Sequence, residues 1–521
     1  MKMVKSLILG SAAGFIAMSG AQAADLPVKA KAVEYVRICS LYGAGFYYIP
    51  GTDTCIKIGG YLHAELQMNG NGVTNGPNWN GNPGQVNRFR NYYQFRSRED
   101  LNIDTRTATE YGVVRTFWDA TFTWTSGGGD AVAGGTLGVY HAFIQFAGFT
   151  LGRTISQFTS PWGGGPGNNS SYLIGGDDTA TGIGQIAYTA SFGNGVTASI
   201  SLEDQSQYRN SQLFNVGGLN AGVSAGAFGG FVFGGAAPSA AQLAAYQANW
   251  LAGGGPFAAS GPSQQALTFG GNTVPDIVGQ VRVDQAWGLL QLSAAGHDIH
   301  ASYYDVSREI SGHPNDAYGF AVQGSLSIKN IPTGAGDSIN LDAVFSNGAT
   351  RYVIGGVTPN AFAMYGGSNV AYQSLAIGNS SDGVFTTGGQ IEKTNAWGLR
   401  GAFNHNWDPY WSTSLFGSYS SVRYSGNGKT LYCAGFGAVI PGQGATYTCN
   451  PDFNIAQLGV RTIWTPVKNL SLSVEALWMG LDQKMSGTTG VVTPAVTKPT
   501  ATYEFRDQNT VVVGFRARRN F

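Results

Sequence analysis

From residue 88 to residue 103 polar and apolar side chains alternate. Arg88, Arg90, Tyr92, Gln94, Arg96, Arg98, Asp100 and Asn102 share one side of an extended chain, while Phe89, Tyr93, Phe95, Leu101 and Ile103 share the other. The following segment repeats this with Arg115, Asp119, Thr121 and Thr123 against Val114, Trp118, Phe122 and Trp124. A period of two predicts strands whose two faces meet different surroundings. An arginine facing lipid near the bilayer midplane costs about 2 to 4 kcal/mol, so in a membrane barrel such a row must face water. Lys57, His63 and Glu65; Gln280, Arg282 and Asp284; Arg400 and Asn404; Arg461; and Glu475 stand between apolar neighbours in the same way.

Clusters of Gly, Asn, Asp, Ser and Pro divide the chain into further strands. Short connections fall at 105–109, 147–149, 193–195, 286–288, 331–338, 407–410 and 466–469. Long ones fall at 69–87, 126–137, 158–182, 204–276, 306–317, 350–395, 426–453 and 485–502. Strict short-long alternation is the pattern of an outer-membrane barrel with both termini in the periplasm, which needs an even strand count. The expectation is an all-β fold: a sixteen-stranded antiparallel transmembrane β-barrel with short periplasmic turns and long extracellular loops.

Composition agrees with this. The 521 residues include 77 Gly and are 12% aromatic and 12% charged, with a mean hydropathy of −0.06. A helical membrane protein would show runs of about 18 or more uncharged apolar residues, and none follows residue 24. Lys2 and Lys5 precede an uncharged stretch from Leu7 to Met18 and then Ala21-Gln22-Ala23, which predicts a signal peptide over 1–23 and a single barrel domain over 24–521. In an exported chain the pairs Cys39 with Cys55 and Cys433 with Cys449 read as two local disulfides.

Other chemistry finds little support. Thirty basic residues balance thirty acidic ones, and nothing suggests nucleic acid. The six histidines are scattered, and His297 and His300 point to opposite faces of an extended chain. Asp177 and Asp178 lack the wider oxygen set of a calcium site. Gly222-Val223-Ser224-Ala225-Gly226 matches G-x-S-x-G but sits in a Gly/Ala-rich loop without strand-turn-helix context. Gly428-Lys429-Thr430 resembles the end of a phosphate loop, yet Arg423 stands where the first glycine is needed. No catalytic residue, metal site or cofactor is expected. Tyr92, Tyr93, Trp407 and Trp411 at strand ends fit an interfacial girdle rather than a sugar-binding track.

The closing segment places Tyr503, Phe505, Val511, Val513, Phe515 and Phe521 on one face and Glu504, Arg506, Gln508, Arg516 and Arg518 on the other. The terminal Phe521 looks like the signal read by the barrel-assembly machinery. Together with Asp25-Leu26-Pro27 and the run from Cys39-Ser40-Leu41-Tyr42-Gly43 through Cys55-Ile56-Lys57-Ile58-Gly59-Gly60-Tyr61, this strand resembles the alphaproteobacterial porins. The match is densest over 25–125 and 454–521, and the loops at 204–276 and 350–395 are longer than the family pattern. The resemblance implies a trimeric outer-membrane porin in contact with lipid and lipopolysaccharide, whose third loop folds inward to narrow a channel for ions and small hydrophilic solutes. Alternatives are a substrate-selective channel and a surface adhesin acting through its long loops. From the residues alone, 158–182 reads equally as an ordinary surface loop.

The candidate site is a constriction with Arg88, Arg90, Arg96, Arg98 and Arg115 on one wall facing Asp177 and Asp178 of the third loop. At about 8 Å in water each such pair is worth only about 0.5 kcal/mol, but several together orient dipolar solutes.

Overall fold

The computed structural model describes residues 37–70, 87–88, 91–126, 135–169, 173–208, 211–216, 269–304, 309–355, 361–439, 445–492 and 498–521. The chain divides into a small unit ending at Lys57 and a large one from Ile58 to Phe521. In the small unit the Cys39–Cys55 disulfide closes a hairpin in which Tyr47 and Tyr48 pair with Ile56 and Cys55.

The large unit is a closed antiparallel barrel of sixteen strands. In chain order they are β1 (Thr54–Met68), β2 (Tyr93–Thr109), β3 (Gly112–Thr125), β4 (Gly135–Phe146), β5 (Phe149–Thr154), β6 (Ile183–Gly193), β7 (Val196–Glu203), β8 (Asp276–Gln285), β9 (Gly288–Ile299), β10 (Ala317–Lys329), β11 (Ser338–Asn347), β12 (Glu392–Asn406), β13 (Trp411–Tyr424), β14 (Phe453–Val467), β15 (Leu470–Gln483) and β16 (Gln508–Asn520). The first four residues of β1 belong to the small unit. Closure is direct: β16 pairs with β15 from Leu470↔Arg519 onward and with β1 from Tyr61↔Asn520 to Met68↔Val513. Closing the sheet removes every edge, the condition for backbone in hydrocarbon.

Alternation sorts the wall as its charges require. On β2 Arg96, Asp100 and Asp104 are buried toward the lumen while Tyr93 and Phe95 are exposed outward. Short turns close the other end. At Asn194-Gly195 both residues have positive φ, the twist a two-residue hairpin needs, and a Cβ on Gly195 would collide with the Asp284 carbonyl.

Several expected boundaries move, and β2 begins at Tyr93 rather than at Arg88. β2 runs through Thr109, so the turn is 110–111 rather than 105–109; Arg106 stays in register opposite Arg115. β4 starts at Gly135, inside the loop expected over 126–137. Tyr503 and Phe505 do not belong to the closing strand. They lie in a short strand, Tyr503–Phe505, paired parallel with the loop strand Gln373–Asn379 and buried there. Tyr503 and Phe505 share the odd-numbered parity of Val511, Val513 and Phe515, but Asp507 and Asn509 interrupt the pattern and the chain joins the wall only at Gln508. Phe521 is exposed at the end of β16, its N–H donating to the Gly60 carbonyl.

The long loops are structured. The segment expected as loop 426–453 carries a helix, α1 (Gly426–Val439), held by the Cys433–Cys449 disulfide. Loop residues Phe158, Ile174, Tyr352, Ile354, Phe362 and Phe505 share one buried core with wall residues Val278, Ala321, Val344, Ala396, Val422 and Ile455. The signal segment 1–23, Ala24, the start Asp25-Leu26-Pro27, Arg90, Gly222 to Gly226 and most of 204–276 lie outside the described residues.

Candidate functional site

β5 is only six residues long. The chain leaves the wall after Thr154, crosses the lumen and rejoins it at Ile183 as β6. Backbone polar groups in such a crossing need partners that a loop cannot supply to itself, and the inner wall provides them. The Gln291 amide of β9 donates to the Thr159 carbonyl at 2.9 Å, and the Asn340 amide of β11 donates to Pro166 at 2.8 Å. The Ile174 N–H donates to the Gln457 side chain of β14 at 2.7 Å, and the Asn169 N–H donates to Glu475 of β15 at 2.5 Å. The third loop is therefore folded inward and docked against the wall from β9 to β15.

One residue holds much of this together. Arg400, on the lumen face of β12, is fully buried with Asp342 of β11. Its Nε donates to both Asp342 oxygens at 2.8 and 3.0 Å, and its terminal nitrogens donate to the carbonyls of Leu173, Gly176 and Asp177 at 3.3, 3.2 and 2.7 Å. Trp162 donates to Asp342 from the loop side at 2.9 Å. Beside it Gly398 and Gly175 touch backbone to backbone, with Gly175 in the left-handed region at φ 116°.

Asp177 and Asp178 sit inside this docked loop. The Thr159 hydroxyl donates to Asp177 at 2.5 Å, and Arg351, which precedes the loop strand Ala361–Gly366, lies 3.6 Å from it. Asp178 accepts the Ala180 N–H at 3.0 Å. The expected cross-channel pairing is not what their surroundings provide: the cation beside Asp177 is Arg351, not a member of the arginine row. Both acids are buried by the loop's own packing.

Burial pushes the Asp177 carboxyl up to about 6, against the opposing pull of Arg351. It raises Asp178 as well, against Arg400. A carboxyl raised in the folded state binds its proton more tightly there than in the unfolded chain, so it loses stabilisation as pH rises between the two values and nothing further above them. Asp177→Asn is neutral throughout. Its stability relative to the native protein is expected to improve by on the order of 3 kcal/mol between pH 4 and pH 7, read from thermal transitions of both proteins across that range. A difference independent of pH would contradict the buried position of this carboxylate.

The other wall is built from β16, β1, β2 and β3. Glu65 lies between Arg96 and Arg516, and all three are buried or nearly so. Asp104 takes Arg106 at 2.9 Å and Arg115 at 3.0 Å. Arg98 donates to the Thr123 hydroxyl at 2.9 Å, with its guanidinium 5.8 Å from the Tyr140 ring. Arg518 stacks over Tyr61 at 3.7 Å. The structure thus gathers Arg96, Arg98 and Arg115 on one wall, while Arg88 stands exposed in a turn ahead of β2. Arg106, Arg516 and Arg518 join the group. Their even-numbered parity on β2 and β16 was the signal available for them, whereas Arg351 sits in a loop with no period to mark it.

A closed sixteen-stranded barrel with an apolar outer face and a loop folded across a charged lumen defines an integral outer-membrane protein of the porin class. Residues 25–515 match the porin subfamily, and the chain belongs to that family. Porin Omp2b of Brucella suis and that of Brucella abortus are each 36% identical over 211 residues, covering 38% of this chain and 54% of theirs. The chain thus spans about half the length of the relatives it matches. The outer membrane channel DcaP of Acinetobacter baumannii shares the fold, with a TM-score of 0.54 at 14% identity, covering 91% of this chain and 99% of that one.

Proposed function

We propose that the mature protein is a water-filled channel for passive diffusion of ions and small hydrophilic solutes, narrowed by its third loop. One observation carries this reading. The loop is docked on the wall from β9 to β15, while the wall from β16 to β3 opposite it is lined with charges, of which Arg98, Arg106, Arg115, Asp119, Arg516 and Arg518 are half-buried. A barrel serving only as an anchor has no need of charges along its lumen. Purified protein in planar bilayers is expected to give stepwise, ohmic currents in KCl. Absence of steps from folded protein would overturn the reading, and a channel that carries one solute class but no KCl current would favour the substrate-selective alternative.

Export, assembly and oligomeric state belong to the same proposal. The signal peptide ends at Ala23, Phe521 serves the barrel-assembly machinery, and the outer face meets lipid and lipopolysaccharide. The assembly is a homotrimer joined through β2 and β3. There the outward face carries Ser97, Glu99, Thr105 and Thr116 among apolar neighbours, and Glu99 is exposed opposite Phe122. A carboxylate facing lipid is disfavoured, but one in a subunit contact finds polar partners. The mass in mild detergent is expected to be that of three copies, and Glu99→Leu with Ser97→Leu is expected to shift it toward one. A monomeric native mass would remove this assignment.

A further inference from the structure

We infer that Arg98, Arg518 and Tyr61 form a binding subsite for small oxyanions of the phosphate class on the channel wall, and that the pore passes anions in preference to cations. The inference rests on the channel reading above and names the solute class of that channel.

The first support is a charge count. The lumen faces of β16, β1 from Ile58, β2 and β3 carry six arginines, Arg96, Arg98, Arg106, Arg115, Arg516 and Arg518, against four carboxylates, Glu65, Asp100, Asp104 and Asp119. Across the lumen the third loop offers no compensation, because Asp177 and Asp178 are its only acids and both are buried within its packing. A porin constriction balanced by loop acids would steer both ion signs. This one presents excess positive charge on the wall and none of the opposite sign on the loop, so it concentrates anions.

The second support is how the arginines are partnered. Glu65 is shared by Arg96 and Arg516, and Asp104 by Arg106 and Arg115. Asp100 and Asp119 are diagonal neighbours on the lumen face, opposite Thr121 and Asn102. Arg98 and Arg518 make no ion pair among the described residues, and Asp100, which both feel electrostatically, stays outside ion-pair range. Both are half-buried and are oriented rather than loose. The Arg98 Nε–H is held by Thr123 at 2.9 Å and the Arg518 Nε–H by Asn520 at 2.9 Å. The Tyr61 ring sits under Arg518, a cation–π contact, and its phenol lies in the electrostatic reach of both Arg98 and Arg518. Two guanidiniums oriented through their Nε–H groups, with their terminal N–H groups beside a phenol, make a donor set suited to the planar or tetrahedral oxygens of an oxyanion, which Arg binds through parallel hydrogen bonds.

The test uses the full mature protein in planar bilayers. Under a KCl gradient the native channel is expected to show a reversal potential of anion-preferring sign. Arg98→Gln with Arg518→Gln is expected to lower the anion-to-cation permeability ratio by about threefold. Inorganic phosphate added to KCl is expected to reduce the native chloride current in a saturable manner and to leave the double variant unaffected. Arg98→Lys, which keeps the charge and loses the fork, is expected to keep the sign of the reversal potential and weaken the phosphate effect. A folded protein without currents overturns the channel reading itself. Currents with cation preference, or a phosphate effect unchanged in the double variant, overturn this subsite while leaving the channel intact. Should the double variant fail to fold, the native protein and Arg98→Lys still decide the matter, since a native current indifferent to phosphate refutes the subsite.

Discussion

Replacing Arg400 by Met is expected to release the third loop from the wall, raising single-channel conductance severalfold and lowering the thermal transition of the folded barrel. Arg400 neutralises the fully buried Asp342 and at the same time supplies donors to three carbonyls of the loop. Removing one partner of a buried pair leaves the other charge uncompensated, at a cost of about 3 to 5 kcal/mol. A double variant, Arg400→Met with Asp342→Leu, separates the two roles. Replacing both partners of a buried pair by apolar residues is often neutral, so thermal stability is expected to recover. The loop carbonyls remain without their donor, so conductance is expected to stay high. Native conductance in both variants would show that the loop does not depend on this anchor.

Gly398→Leu is expected to have the second largest effect, by a different route. A Cβ at Gly398 would lie 2.6 Å from the Gly175 Cα, and the atoms it meets are backbone. Gly175 packs directly on this strand, since a Cβ on it would meet the Leu399 backbone, and its own φ of 116° suits glycine. Overpacking of this kind costs about 1 to 3 kcal/mol, which falls on the docked loop rather than on the strand ladder. The expected result is a noisier, wider channel whose barrel melts close to the native temperature, with Gly398→Ala intermediate. Single-channel recordings of the three proteins check this order. A Leu variant with native conductance and noise would mean that the loop's path is set elsewhere.

These two residues also show where reading the chain was limited. Arg400 was legible as a lumen residue because its neighbours on β12 are apolar, and that much follows from alternation. Its role was not legible, because its loop partners lie up to 240 residues away in the chain. Asp177 and Asp178 are a sharper case. As acids in a glycine-rich loop they looked like the counterpart of the arginine row, yet the way the loop packs turns them toward Arg351 and the Ala180 N–H. Tyr503 and Phe505 kept the parity of the closing strand while belonging to a loop sheet, since parity records direction along an extended chain and not which sheet that chain has joined.

The number of strands, the side of the wall that each of Arg96, Arg98, Arg115, Arg400 and Arg461 faces, the alternation of short turns with long loops and the two cysteine pairs are all written in the order of the residues. All of these are local properties: they follow from a two-residue period and from the penalty for charge in hydrocarbon, and short turns hold adjacent strands in register. The third loop's path across the lumen to the wall from β9 to β15, the sharing of Glu65 and of Asp104 by two arginines each, and the lack of an ion-paired carboxylate for Arg98 and Arg518 among the described residues emerge only on folding. Those outcomes depend on side chains brought together across the barrel. Closure sets which strands face each other there, and no local period encodes that placement.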